Sequence, residues 1–167
     1  MTDLKVKRHW WHPGVQRVAA SNFGSWLLRD RLGQIDKPLL RLTNNRLSLT
    51  SLLAGLPVIV LETIGAKTGL SRQTPLAAIP DGEKIILIAS NFGNHRHPAW
   101  YYNLKANPAV KVIQGNMSAG YLACQAFGEE REQYWKKAVE MYGGYQAYEQ
   151  KAGDREIPVI VLEPISE

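Results

Sequence analysis

The chain has a single cysteine, Cys124, which excludes an internal disulfide. No His or Asp stands beside it in a ligand spacing, so it reads as a small buried hydrophobe in a reducing compartment. Runs of 18 consecutive apolar residues are also missing, and no segment has the length of a membrane-spanning helix. Nor does the N-terminus carry an uninterrupted apolar leader: Lys5, Lys7, Arg8, His9 and His12 break it, and a cytoplasmic protein is expected. Several familiar chemistries are absent too. The turn GAKTG at 65–69 lacks the G-x-x-x-x-G-K-S/T order of a phosphate loop, and no G-x-G-x-x-G follows a strand. Ser71 and Ser90 have no G-x-S-x-G elbow. His9 with His12, and His95 with His97, form pairs that no cysteine or carboxylate cluster completes, so no metal is expected. A pI near 9.4 favours polyanions, but no nucleic-acid reading motif accompanies it and no such partner is expected.

What remains is an ordinary globular composition, 45% hydrophobic and 21% charged, which supports a core and argues against wholesale disorder. No proline-rich linker or low-complexity tract divides the chain, and one domain with an N-terminal extension is expected. The net charge of +5 is uneven. Lys5, Lys7, Arg8, Arg17, Arg29, Arg31, Lys37, Arg41 and Arg46 face only Asp3, Asp30 and Asp36 in residues 1–50. Within that extension Val15, Val18, Ala19, Phe23, Trp26 and Leu27 recur at helical spacing and predict a basic amphipathic helix, preceded by Trp10 and Trp11. By default such a helix packs on the body of the protein. The alternative is contact with an anionic membrane surface at the inner face. Asp36 and Pro38 suggest a second short helical start.

From Pro57 the texture is that of strands, and residues 51–167 read as the barrel domain. PVIVLETI is apolar and β-branched, GAKTGLSR is a turn, QTPLAAIP is a second strand, Asp81-Gly82 marks a hairpin, and EKIILIAS is a third strand, giving a predicted antiparallel meander. A helix is expected from Pro98 to just before Asn107-Pro108, with Trp100, Tyr101 and Leu104 on one side. AVKVIQ and SAGYLACQAF follow as strands joined through Gly115-Asn116. Glu129, Glu130 and Glu132 open a helix that carries Lys136 and Lys137 later, as its dipole favours, with Trp135, Ala138, Val139 and Tyr142 as the apolar stripe. Gly143-Gly144 ends it, a helical turn bears Tyr145 and Tyr148, and IPVIVLEP is the last strand. About six short antiparallel strands with few helices predict a mainly β, α+β fold, a small barrel rather than a parallel sheet, because the crossover helices of a parallel sheet are missing.

Two turns carry the chemistry. GAKTGLSR combines glycines, which permit a tight turn with exposed N–H groups, with Lys67 and Arg72, whose cations suit phosphate or carboxylate oxygens. Alone it is better explained as a solvated hairpin turn with ordinary basic residues. SNFGNHRHP follows the third strand and leads into an aromatic helix start, and the two together predict a cradle for one anion and one flat ring.

The run from LETIGAKTGLSRQTPL through IASNFGNHRHPAWYYNLKANPAVKV resembles the deazaflavin-dependent nitroreductase and quinone reductase family, whose pattern is T-x-G-R/K-K-S/T-G-x-x-R-x-x-P-L, then A-S-x-x-G and P-x-W-Y-x-N-L-x-A-N-P. YWKKAVEMYGGYQAYEQ and REIPVIVLEP are similar to the family's tyrosine-bearing helix and closing strand, and only the first fifty residues are weakly covered. The resemblance implies a split β-barrel of the FMN-binding kind that binds coenzyme F420, a deazaflavin with a phospholactyl-polyglutamate tail. It implies that Lys67, Thr68, Gly69 and Arg72 hold the phosphate and tail, that Thr74 and Pro75 line the groove, and that Ala89, Ser90 and Asn91, with Pro98, Trp100, Tyr101 and Asn103, frame the ring. Tyr145 and Ser90 would be catalytic, with Tyr142, Tyr148 and Ala77 on the substrate side. A phenol or hydroxyl there would bond an acceptor oxygen as negative charge develops. Ala66 and Asn91 stand where the family commonly has Arg and Lys, so two tail-binding cations are missing, and Arg96 with the two nearby histidines is the available replacement.

Three readings follow. The first is a reductase that passes hydride from reduced F420 to a quinone or other electron-poor acceptor, with nitroaromatic compounds as further substrates. The second uses flavin mononucleotide in the same barrel. The third is a non-catalytic module that binds a cofactor or fatty acid. Monomer and homodimer both remain open.

Overall fold

The computed structural model describes residues 56–165. The predicted basic helix of residues 1–50 and the helical start at Asp36 lie outside them. Seven strands form one antiparallel sheet among the described residues: β1 (Val58–Ile64), β2 (Ser71–Ala77), β3 (Ile79–Asp81), β4 (Lys84–Ile88), β5 (Ala109–Gln114), β6 (Met117–Gln125) and β7 (Val159–Pro164). Three helices accompany them, α1 (Ala99–Ala106), α2 (Gly128–Met141) and α3 (Gly144–Ala152).

The expected second strand QTPLAAIP is two strands. Chain order and sheet order explain why. The sheet runs β2-β1-β5-β6-β7-β4-β3, so β2 and β3 are its two margins, yet only Ala78 separates them in the chain. Ala78 is fully buried and its N–H donates to the Pro57 carbonyl at 2.9 Å, turning the chain from one margin to the other. β2 also lies against β4, and the sheet thereby curls into the half-barrel expected from the sequence. The predicted simple meander does not hold: β5 takes the place beside β1, and β4 pairs with β7. Nearest-neighbour turns give hairpins, but the sequence of a strand does not state which distant strand it will meet.

Period-two alternation then builds two cores. Ile59, Leu61, Ile85, Leu87, Val110, Val112, Tyr121, Ile160 and Leu162 point inward, and Trp100, Tyr101 and Leu104 of α1 plug the same interior, on one side of the helix as expected. Ile79, Ile86, Ile88, Val159 and Val161 point the other way and bury against α2 and α3 through Ala138, Tyr142, Tyr145, Tyr148 and Ala152. The same alternation corrects the reading of Cys124. Tyr121, Ala123 and Gln125 turn inward along β6, so Leu122 and Cys124 face out, and Cys124 is exposed. Its small apolar character gave no sign of the strand's phase.

α1 stops at Asn107 because Pro108 cannot follow in a helix, and Glu129 and Glu130 sit in the first turn of α2. Tyr142, extended rather than helical, separates α2 from α3. Glycine is required at 144, where any Cβ would run into the Tyr142 ring.

Candidate active site

Strand registers bring several polar segments to one rim. The C-terminal ends of β1, β4 and β6 and the N-terminal ends of β5 and β7 share it, so the 65–70 turn, the 89–97 segment, α1 and the stretch before β7 all lie there. The convergence expected from two separate turns is thus met at the level of backbone.

The basic turn is closed by Gly65 N–H to the Leu70 carbonyl at 2.9 Å and Gly69 N–H to the Gly65 carbonyl at 2.8 Å, with Gly69 at φ 67°. Thr68 Oγ1 accepts from Leu70 N–H and packs where a Gly65 Cβ would stand. Lys67, Thr68, Gly69 and Arg72 are exposed, so both cations face water. Asn103 of α1 fixes this turn from below, accepting from Ala66 N–H at 3.1 Å and donating to Thr63 Oγ1 at 3.1 Å.

The 89–97 segment is held differently. After buried Ala89, Ser90 is right-handed helical (φ −66°, ψ −36°) and Asn91, Phe92 and Gly93 follow at φ 48°, 54° and 75°. Asparagine and glycine tolerate the left-handed region, whereas it costs Phe92 roughly 1–2 kcal/mol. Docking on α3 maintains the shape. The Phe92 ring meets Tyr148 edge-on at 5.8 Å, and a Cβ on Gly93 would lie 2.6 Å from Lys151 Cβ and 2.8 Å from the Tyr148 carbonyl. Arg155, just before β7, completes the fastening: Nε donates to the Asn94 carbonyl at 2.7 Å, and its terminal nitrogens to the Ser90 carbonyl at 2.7 Å and the Ala89 carbonyl at 3.3 Å. A fourth bond joins Arg155 to His97 Nδ1 at 3.1 Å. Guanidinium has no acceptor, so His97 Nδ1 accepts and the imidazole is neutral. Burial, then the charges of Arg155 and Lys105, hold it below its ordinary value of 6.5. Its ring packs on Tyr101 at 4.7 Å between centroids, which ties the segment to α1.

The expected site residues fall into groups. Ala89, Trp100 and Tyr101 belong to the barrel interior, where Tyr101 donates to Gln125 at 2.9 Å. Ala77, Tyr142, Tyr145 and Tyr148 belong to the outer core with Phe92. Thr74, Pro75, Ser90, Asn91, Pro98 and Asn103 are half-buried. Asn91 spends its amide on the Arg96 carbonyl at 2.8 Å. The interior group and the tyrosine group thus lie on opposite faces of the sheet, and the 89–97 segment is what spans them. Tyr142 and Tyr148 share a hydrogen bond at 3.1 Å, and the three tyrosine rings pack within 5.2 to 6.4 Å of one another. Burial pushes all three phenols above the ordinary value of 10, so they are neutral donors at any physiological pH.

Two residues at the rim have parts that sequence reasoning did not give them. Arg155 stands in REIPVIVLEP, between Asp154 and Glu156, and received no role from the sequence; an arginine just ahead of an apolar strand was the available signal. His97, counted as a spare cation for the tail, is instead neutral and committed to Arg155. His95 and Arg96 remain exposed.

Comparison with known proteins matches residues 39–164 to the family described as F420H(2)-dependent quinone reductase. The chain belongs to that family. It is 36% identical over 108 residues to an F420H(2)-dependent quinone reductase of Mycobacterium tuberculosis (strain ATCC 25618 / H37Rv), covering 64% of this chain and 72% of the relative. Among solved structures, an F420-H2 dependent reductase is 42% identical with a TM-score of 0.59, over 64% of this chain and 94% of its own. A chain described as a domain-swapped dimer is 36% identical with a TM-score of 0.61, over 83% of this chain and 98% of its own. Family membership makes the chain an F420-dependent oxidoreductase of split β-barrel fold, and it favours the deazaflavin over flavin mononucleotide.

Proposed function

We propose that this protein passes hydride from reduced coenzyme F420 to a quinone at the rim where the basic turn meets the 89–97 segment, with nitroaromatic compounds as further acceptors. The observation that carries this reading is the physical continuity of that rim: Asn103 ties the turn to α1, and Tyr101, His97 and Arg155 tie α1 to the segment. The residues present fit the cofactor, since the exposed Lys67 and Arg72 suit an anionic tail. Among the described residues the N–H groups of Ser90 and Asn91 make no hydrogen bond and suit the oxygen-bearing edge of a ring.

Lys67, Thr68, Gly69 and Arg72 hold the phosphate and tail, with Arg96 and His95 replacing the cations missing at Ala66 and Asn91. Thr74 and Pro75 line the groove. Ala89, Ser90, Asn91 and Pro98 frame the ring, Trp100 and Tyr101 support that frame from the interior, and Asn103 supports the tail site from beneath the basic turn. When bound, the deazaflavin supplies a hydride, and the protein's task is orientation. Ser90 and Tyr145 donate hydrogen bonds to the acceptor oxygen that gains charge, while Tyr142, Tyr148 and Ala77 shape the acceptor's side. Support for the Tyr145 role is its cluster's direct packing under the segment that bears Ser90. Residues 51–167 act as the cofactor-binding domain and residues 1–50 as a basic extension that touches an anionic membrane face from the cytoplasm, where a lipid-soluble quinone resides. A homodimer is the proposed assembly, in keeping with the domain-swapped relative.

Titration of the protein with coenzyme F420 and with flavin mononucleotide, followed by anaerobic mixing of the reduced complex with menadione, tests the reading. F420 binding and quinone-dependent reoxidation are expected. Binding of flavin mononucleotide alone overturns it.

A further inference from the structure

The reaction just described leaves Arg155 unused, although its guanidinium makes four hydrogen bonds at the rim. Three of them take the carbonyls of Ala89, Ser90 and Asn94. A trans peptide points its N–H opposite to its C=O, so the N–H groups of Ser90, Asn91 and His95 are turned away from Arg155. Ser90 is right-handed and Asn91 left-handed, a succession that bends consecutive amides to one side and makes a concave seat for an oxygen atom. Within the described residues nothing else occupies those amides.

We propose that Arg155, with His97 as its acceptor, is the positioning residue that keeps the Ser90 and Asn91 amides presented to a ring oxygen of the cofactor. The inference rests on the hydride-transfer reading above. Without the clamp the Ala89, Ser90 and Asn94 carbonyls lose their common donor and those peptides can turn while Phe92 stays docked on α3, and the seat would be lost while the tail site, built on the 65–70 turn and Asn103, stayed in place. The imidazole of His97 is part of the device. It faces Arg155 on one side and Tyr101, Tyr102 and Lys105 of α1 on the other; Arg155 in turn faces Tyr102, and Glu156 beside it is paired with Arg131. Among the described residues no carboxylate acts on His97, so a proton on it sets two cations against each other and opens the clamp.

The test uses the whole protein with Arg155→Ala, Arg155→Lys and His97→Phe. In the cofactor-free protein, amide exchange at Gly93 and Asn94, whose N–H groups bond the Ser90 and Asn91 carbonyls, is expected to accelerate at least about tenfold in Arg155→Ala while β5 and β6 keep their protection. With reduced F420 and menadione, kcat should fall about 100-fold, the scale of a small misplacement of reacting groups. The dissociation constant for F420 should change far less. Lysine should fail to restore the rate, because one ammonium cannot span three carbonyls and an imidazole. Wild-type kcat should decline on the acid side with a midpoint below 6.5, a limb that His97→Phe abolishes. Unchanged exchange at Gly93 and Asn94, full rescue by lysine, or an acid limb that survives in His97→Phe overturns the proposal. If Arg155→Ala does not fold, Arg155→Lys and His97→Phe decide it. A wild-type protein that binds F420 yet reduces no quinone would defeat the hydride-transfer reading, and the exchange result would still judge the clamp.

Discussion

Tyr145 separates two readings of a buried phenol. If it only fills the outer core, phenylalanine in its place leaves turnover alone; if it donates to the acceptor, Tyr145→Phe lowers kcat roughly tenfold and leaves F420 affinity intact, a loss of about 1.4 kcal/mol, within the range of one hydrogen bond. Steady-state kinetics beside a fluorescence titration distinguishes these. The tyrosines also set an alkaline limit. Their folded pKa values lie above 10 because burial disfavours the phenolate, so the unfolded chain loses protons first. Their stabilisation is complete below pH 10 and disappears as pH rises from there toward the folded values. Urea midpoints measured from pH 8 to 11 should be level and then fall, and a Tyr142→Phe, Tyr148→Phe double variant should flatten the decline. At this scale the sequence was legible where residue type dictates chemistry. Lys67 on the tight turn and Arg72 at the start of β2 are exposed cations because burial would leave their charges unpaired. It was not legible for Cys124, whose burial depends on strand phase, or for Arg155, whose partners are carbonyls that any residue type could supply.

Elements were easier to read than their partners. α1 and α2 lie within about two residues of their expected bounds, because Pro108 and the Gly143-Gly144 break state them directly, whereas the expected helical turn at Tyr145 and Tyr148 is the nine-residue α3. QTPLAAIP carried no proline or glycine at Ala78 to announce a corner, so β2 and β3 read as one strand. The role of α1 follows from its contacts. Asn103 was expected to frame the ring, and its amide instead closes two hydrogen bonds under the basic turn. Asn103→Ala should therefore weaken F420 binding while leaving kcat at saturating cofactor within about twofold. The turn would lose about 1 kcal/mol of preorganisation, roughly fivefold in dissociation constant. Equal losses in kcat and affinity would return Asn103 to the ring.

For the whole molecule, charge is the property the sequence stated best. The described barrel is close to neutral and the surplus of the chain's +5 lies in residues 1–50. Deleting those residues should abolish sedimentation with anionic vesicles and leave F420 binding in place; unchanged sedimentation would remove the membrane from the proposal. Among the described residues no helix is long and apolar enough to cross a membrane. Topology was the least legible property, since pairing of β4 with β7 joins residues more than seventy positions apart, and no local pattern encodes that meeting.

The corner at Ala78 has a mechanical side. An open sheet frays from its outermost strands inward, each margin yielding on its own. Here the two outermost strands are one stretch of chain with a single residue between them, so a tug on either margin is transmitted at once to the other. Loosening β2 would drag β3 from β4, and with it the end of the strand that carries Ala89 and Ser90. The barrel is laced like a drawstring, and its two margins should slacken together or not at all.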